Sequence, residues 1–148
     1  MATNSFYKPT SGNILPRYAG IATFMRLPYV PLEQAKDVNI GLIGVPWDGG
    51  TTNRAGARHG PRQIRDLSTM ARNVNHSSGI QPFELANCAD LGDAPVNPID
   101  LIDSLNKIEE FFRAVHAQNI IPLSAGGDHL ATLPIMRGIV TGEPLGMV

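Results

Sequence analysis

Asn119-Ile120-Ile121-Pro122-Leu123-Ser124-Ala125-Gly126-Gly127-Asp128-His129 passes from an apolar run into paired glycines, then to an acid and an imidazole. A short apolar run that ends in glycine reads as a buried strand, and the polar groups after it lead into a new helix. This order delivers Asp128 and His129 to the carboxyl edge of a parallel sheet, where open α/β folds bind their ligands.

Upstream, Val38-Asn39-Ile40-Gly41-Leu42-Ile43-Gly44-Val45-Pro46 is nearly continuous in apolar character, which predicts a strand buried on both faces and stopped by Pro46. A glycine-rich loop, Trp47 to Gly60, follows. Pro61 then opens a helix on which Ile64, Leu67, Met70, Ala71 and Val74 recur at helical spacing. Glu84 to Leu91 reads as a weaker strand ending in Gly92-Asp93. Asn97-Pro98 supplies an N-cap and a first helical residue for a long amphipathic helix to about Gln118, with Ile102, Leu105, Ile108, Phe112 and Val115 on one face. A helix from about Leu130 to Val140 takes Pro134 within its first turn, and Pro144–Val148 begins a fourth strand.

Strand and helix alternate throughout, which calls for an α/β fold with a parallel sheet and right-handed crossovers. An apolar strand at the end of the sequence would leave a sheet edge uncovered, so the expectation is the first half of a larger α/β domain. Residues 1–36 are set apart as an N-terminal arm and 37–148 as the α/β part. Pro9, Pro16, Pro28 and Pro31 argue against regular structure in the arm. Its Ile21, Phe24, Met25 and Leu27 nevertheless need cover, either from this subunit or from a neighbour.

The 148 residues are 43% hydrophobic and 17% charged, and 12 Lys and Arg against 13 Asp and Glu leave a formal net charge of −1. No basic block suggests a nucleic-acid or membrane-surface partner, and no apolar segment has the length of a membrane span. One cysteine, Cys88, and a start without a signal-peptide pattern make a reducing, cytoplasmic location the expectation.

Four glycines and two arginines in the Trp47–Gly60 loop raise a phosphate cradle, although the spacing matches neither nucleotide fingerprint. The alternative is scaffold: Gly49, Gly50, Gly56 and Gly60 at positive φ, with Arg54 and Arg58 tying down carbonyls or carboxylates. Asp90 and Asp93 could serve as acid, base or metal ligands, but the turn-capping role routine for Asp at a strand end is preferred. His59, His76 and His116 stand alone and read as structural or surface groups. His129 differs because Gly-Gly-Asp precedes it at a sheet edge, where Asp128 can orient or support the imidazole.

Together, Gly44-Val45-Pro46-Trp47-Asp48-Gly49-Gly50, Arg54-Ala55-Gly56-Ala57-Arg58-His59-Gly60-Pro61, Asp90-Leu91-Gly92-Asp93 and Gly126-Gly127-Asp128-His129 resemble the ureohydrolase family of arginases and agmatinases. The agmatinase-like branch is nearest, and the leader Pro16–Pro28 is similar to that of its guanidinopropionase, guanidinobutyrase and proclavaminate amidinohydrolase members. The resemblance implies a three-layer α/β/α, arginase-like fold, and assembly as trimers or hexamers. It also implies two divalent metal ions, Mn2+ or the compatible Ni2+, that activate water against a small guanidino substrate to give urea and an amine. In that pattern His129 is a metal ligand and Asp128 supports it. The other ligands come from Asp-Ala-His-x-Asp and Asp-x-Asp motifs not found in these residues, the first expected just after Val148. Two other readings compete: a non-catalytic ureohydrolase-like subunit partnering an active homologue, and a nucleotide-binding α/β module.

Overall fold

Three parallel strands are ordered β2-β1-β3: β1 is Ile40–Val45, β2 Cys88–Asp93 and β3 Ile121–Gly126. This computed structural model describes residues 4–140 together with Gly142 and Gly146. The fourth strand expected over 144–148 falls, Gly146 apart, outside the described residues.

Helix α1 (Gly60–Ser68) joins β1 to β2, α2 (Leu101–Ala117) joins β2 to β3, and α3 (Thr132–Ile139) follows β3. Alternation along the strands sorts two cores. Ile43, Val45, Ala89 and Leu91 pack with Ile108, Phe112 and Val115 of α2, whereas Leu42 and Cys88 face the opposite way and pack with Phe24 and Leu27. Helix α1 lies on that second side, close to the turn at Phe24–Arg26. The result is the expected three-layer α/β/α arrangement, with Phe24 and Leu27 of the arm buried against their own chain and Ile21, also expected to need cover, left exposed.

Several boundaries differ from the sequence reading. Helix α1 ends at Ser68 rather than continuing to Val74, because Ser68 Oγ and Thr69 Oγ1 donate back to the carbonyls of Arg65 and Asp66. Its Ile64 and Leu67 are consequently exposed on a short helix. The second strand begins four residues later than expected, at Cys88. A short 3-10 turn at Pro82–Glu84 precedes it, and Asn87 is pinned by its N–H to Asn39 Oδ1 at 2.8 Å. The N-cap of α2 is Asp100, whose side chain accepts from Asp103 N–H at 2.8 Å, not Asn97. Asn97 instead accepts from Ile99 N–H and receives Ser104 Oγ–H at its carbonyl, forming a turn ahead of the helix. Asn119, read as part of an apolar run, takes a left-handed φ of 58° after α2, so β3 starts at Ile121 and extends to Gly126.

The two sheet edges are unlike. The outer edge of β2 is sealed by the arm, with Val30 N–H donating to Asp90 O and Asp90 N–H to Pro28 O at 2.9 and 3.0 Å. On β3, Ile121 N–H reaches inward to Asn39 O, so Pro122 lies in the outward set and removes one donor from that edge. Ile121 and Leu123 are more than half exposed there.

Candidate functional site

A β-bulge shapes the carboxyl end of β2. Register with β1 shifts between Leu42 and Gly44, and Gly92 sits at φ +83°, a conformation open to glycine at little cost. In an unbroken strand residues 90 and 93 would face opposite sides. The extra residue brings both to Arg65 of α1: Asp90 accepts from Arg65 Nε and Nη2 at 2.8 and 2.9 Å, and Asp93 accepts from Nη1 at 2.6 Å. Asp90 is buried, and it also accepts from Phe24 N–H at 3.0 Å and Gly92 N–H at 2.9 Å. Arg65 lies over the Phe24 ring at 4.2 Å. Asp90 thus caps its turn as expected, but its main partner is a guanidinium that the sequence reading did not anticipate.

The Trp47–Gly60 loop takes the scaffold role through two of the six residues expected, Gly56 and Arg58. Of its four glycines, Gly56 alone has positive φ, at 135°. Arg58, not Arg54, supplies the tie. Its Nε donates to Asp48 Oδ1 at 2.5 Å, while Gly56 N–H and Arg58 N–H donate to Oδ2 at 2.7 and 3.3 Å. The guanidinium of Arg58 and these backbone donors hold the Asp48 carboxyl down to about 2, against the opposing pull of burial. With a folded value below the usual carboxylate value of about 3.9, the resulting stability is complete above that pH and is lost as pH falls toward 2. Urea unfolding of wild type and Asp48→Asn across pH 2–6 is expected to show a wild-type advantage that is level above pH ~4 and shrinks below it.

His129 opens the short 3-10 turn His129–Ala131 directly beyond β3, and its side chain is exposed at the carboxyl edge. Asp128 caps that turn, accepting from Leu130 N–H at 3.0 Å, and its other oxygen accepts from Gly50 N–H at 2.6 Å. The backbone is tied as well: Asp128 N–H donates to Trp47 O at 2.8 Å and Gly127 N–H to Ala57 O at 3.4 Å. Gly127 follows a cis peptide and has φ +84°; a Cβ there would lie 2.5 Å from Val45 O. Glycine at this position is therefore required by both conformation and space. His59, His76 and His116 are exposed, and none joins His129 in a cluster among the described residues.

Residues 38–148 match the family model described as the arginase family. The chain belongs to the arginase family. Guanidinopropionase from Pseudomonas aeruginosa is 59% identical over 146 residues, covering 99% of this chain and 45% of that protein. Among solved structures, proclavaminate amidinohydrolase from Streptomyces clavuligerus aligns with a TM-score of 0.78 at 39% identity, over 83% of this chain and 40% of that one. A Trypanosoma cruzi formiminoglutamase variant solved with Mn2+ aligns at 0.62 and 27% identity, over 70% of this chain and 35% of that one. This arginase-family chain spans less than half the length of these relatives.

The formiminoglutamase variant was solved with Mn2+, and a divalent ion of that kind takes imidazole and carboxylate donors. His129 fits one ligand position: an exposed imidazole on a rigid turn, with no hydrogen bond to its ring among the described residues. Asp48, Asp90, Asp93 and Asp128 are each committed to arginines or backbone donors. No group of three or more His, Cys, Asp or Glu suited to an ion assembles among the described residues, and a divalent centre needs several converging ligands. No helix among those residues is long and apolar enough to cross a membrane.

Proposed function

We propose that the protein containing this chain hydrolyses a small guanidino compound to urea and an amine, and that His129 is one ligand of its two divalent ions. Mn2+ is the preferred ion and Ni2+ is compatible with the same donors. The observation that supports this reading is the meeting of the Gly126-Gly127-Asp128-His129 turn and the Trp47–Gly60 loop at one sheet edge in a chain 59% identical to guanidinopropionase. A guanidinium carbon is a poor electrophile because its charge is delocalised. The ions, when bound, supply Lewis acidity and an activated water that no side chain here could replace. This chain's own part is to present the His129 imidazole and, through Asp128, to hold its turn against Gly50.

The preferred substrate is a guanidino acid of the guanidinopropionate or guanidinobutyrate type, following that same relative. The reading extends to an arm over 1–36 followed by part of an α/β domain over 37–148, to a homo-oligomer, trimer or hexamer, and to a cytoplasmic location. The test is urea release by the full-length protein with Mn2+ or Ni2+ on 3-guanidinopropionate, 4-guanidinobutyrate, agmatine and arginine. The expected outcome is release with kcat/KM highest on a guanidino acid; no urea from any of the four would end the proposal.

A further inference from the structure

The loop of residues 48–58 is closed at its neck by a single carboxylate. Asp48 has no exposed side-chain surface, and it binds two backbone N–H groups and a guanidinium. Both sides of that neck also carry the His129 turn. Trp47, beside Asp48 in sequence, receives Asp128 N–H on its carbonyl, and Ala57, flanked by the two backbone donors that Asp48 holds, receives Gly127 N–H. Gly50 completes the frame by donating to Asp128. The main chain leading into His129 is thus suspended between two carbonyls whose separation Asp48 fixes.

We propose that Asp48 is a positioning residue for the His129 imidazole, acting through the carbonyls of Trp47 and Ala57 without contact to ion or substrate. The inference rests on His129 being a metal ligand. A ligand must be held to about half an ångström, which a loop of this length does not achieve unaided. The Arg58 side chain is 46% exposed, so water can solvate it when Asp48 is removed. Loss of the clamp also frees Gly56 N–H and Arg58 N–H, which flank the carbonyl that holds Gly127.

The experiment is titration of metal-free full-length protein with Mn2+, followed by calorimetry, for wild type, Asp48→Ala, Asp48→Asn and His129→Ala. Asp48→Ala is expected to weaken Mn2+ binding by about 10–100-fold, the range for groups that support a ligand. Asp48→Asn, which keeps one acceptor oxygen, should fall between Asp48→Ala and wild type, and it decides the matter if Asp48→Ala does not fold. A purely structural role would shift unfolding and leave the Mn2+ affinity of folded protein alone. Wild-type affinity in both Asp48 variants, with His129→Ala weakened, overturns the positioning role and keeps the ligand. Unchanged binding in His129→Ala, or none in wild type, overturns both.

Discussion

Replacing His129 with alanine in the full-length protein is expected to lower kcat/KM for urea release by more than about 100-fold, beyond the range for a group that only supports a ligand. The basis is position and freedom. The imidazole is exposed at the carboxyl edge, and its turn is fixed by three hydrogen bonds to the Trp47–Gly60 loop. The loss should appear in kcat together with a fall in bound Mn2+, measured by metal analysis after gel filtration. Alanine at His76 or His116 should leave both near wild type, since these rings are exposed and lie outside the Trp47–Gly60 loop and the His129 turn. Equal activity in His129→Ala and wild type would remove the imidazole from the site.

The largest effect on stability is expected at Asp90. Its carboxylate is buried and serves Arg65, Phe24 N–H and Gly92 N–H at once. Asp90→Ala leaves the Arg65 guanidinium, only 14% exposed, without its main counter-charge and strands two backbone donors. Breaking a buried pair from one side costs about 3–5 kcal/mol. Urea unfolding of the full-length protein should show that loss as a lower midpoint. Asp93 is 43% exposed and bonds the same arginine from outside, so Asp93→Ala should cost no more than about 1 kcal/mol. Similar losses in the two variants would mean that burial does not set the strength of this network.

The alternation of strands and helices was legible in the sequence because apolar runs carry their own period; the order β2-β1-β3 within the sheet was not. Val38–Pro46 contains β1, and Ile102, Leu105, Ile108, Phe112 and Val115 mark α2, although Ile102 is exposed at its first turn. Boundaries were legible only where one signal stood alone. Asn97-Pro98 reads as a helix start, but the cap is Asp100, because Ser104 engages the Asn97 backbone from inside the helix. The place of His129 could be read from its glycines. Its framework could not: Asp48 finds its partners eight and ten residues away, and Asp90 finds Arg65 25 positions back. Isolated carboxylates of this kind carry no periodicity, and the Asp90–Asp93 convergence depends on a bulge that only the paired strands reveal.

The unlike edges of the sheet bear on how the chain folds as it is made. The middle strand, β1, is synthesised first, and the segment that closes the far side of β2 precedes both. When residue 93 has left the ribosome, everything needed to complete that side already exists. β3 then pairs with β1, a strand already made. Among the described residues the margin left open is that of β3, where Pro122 removes one donor from stray pairing.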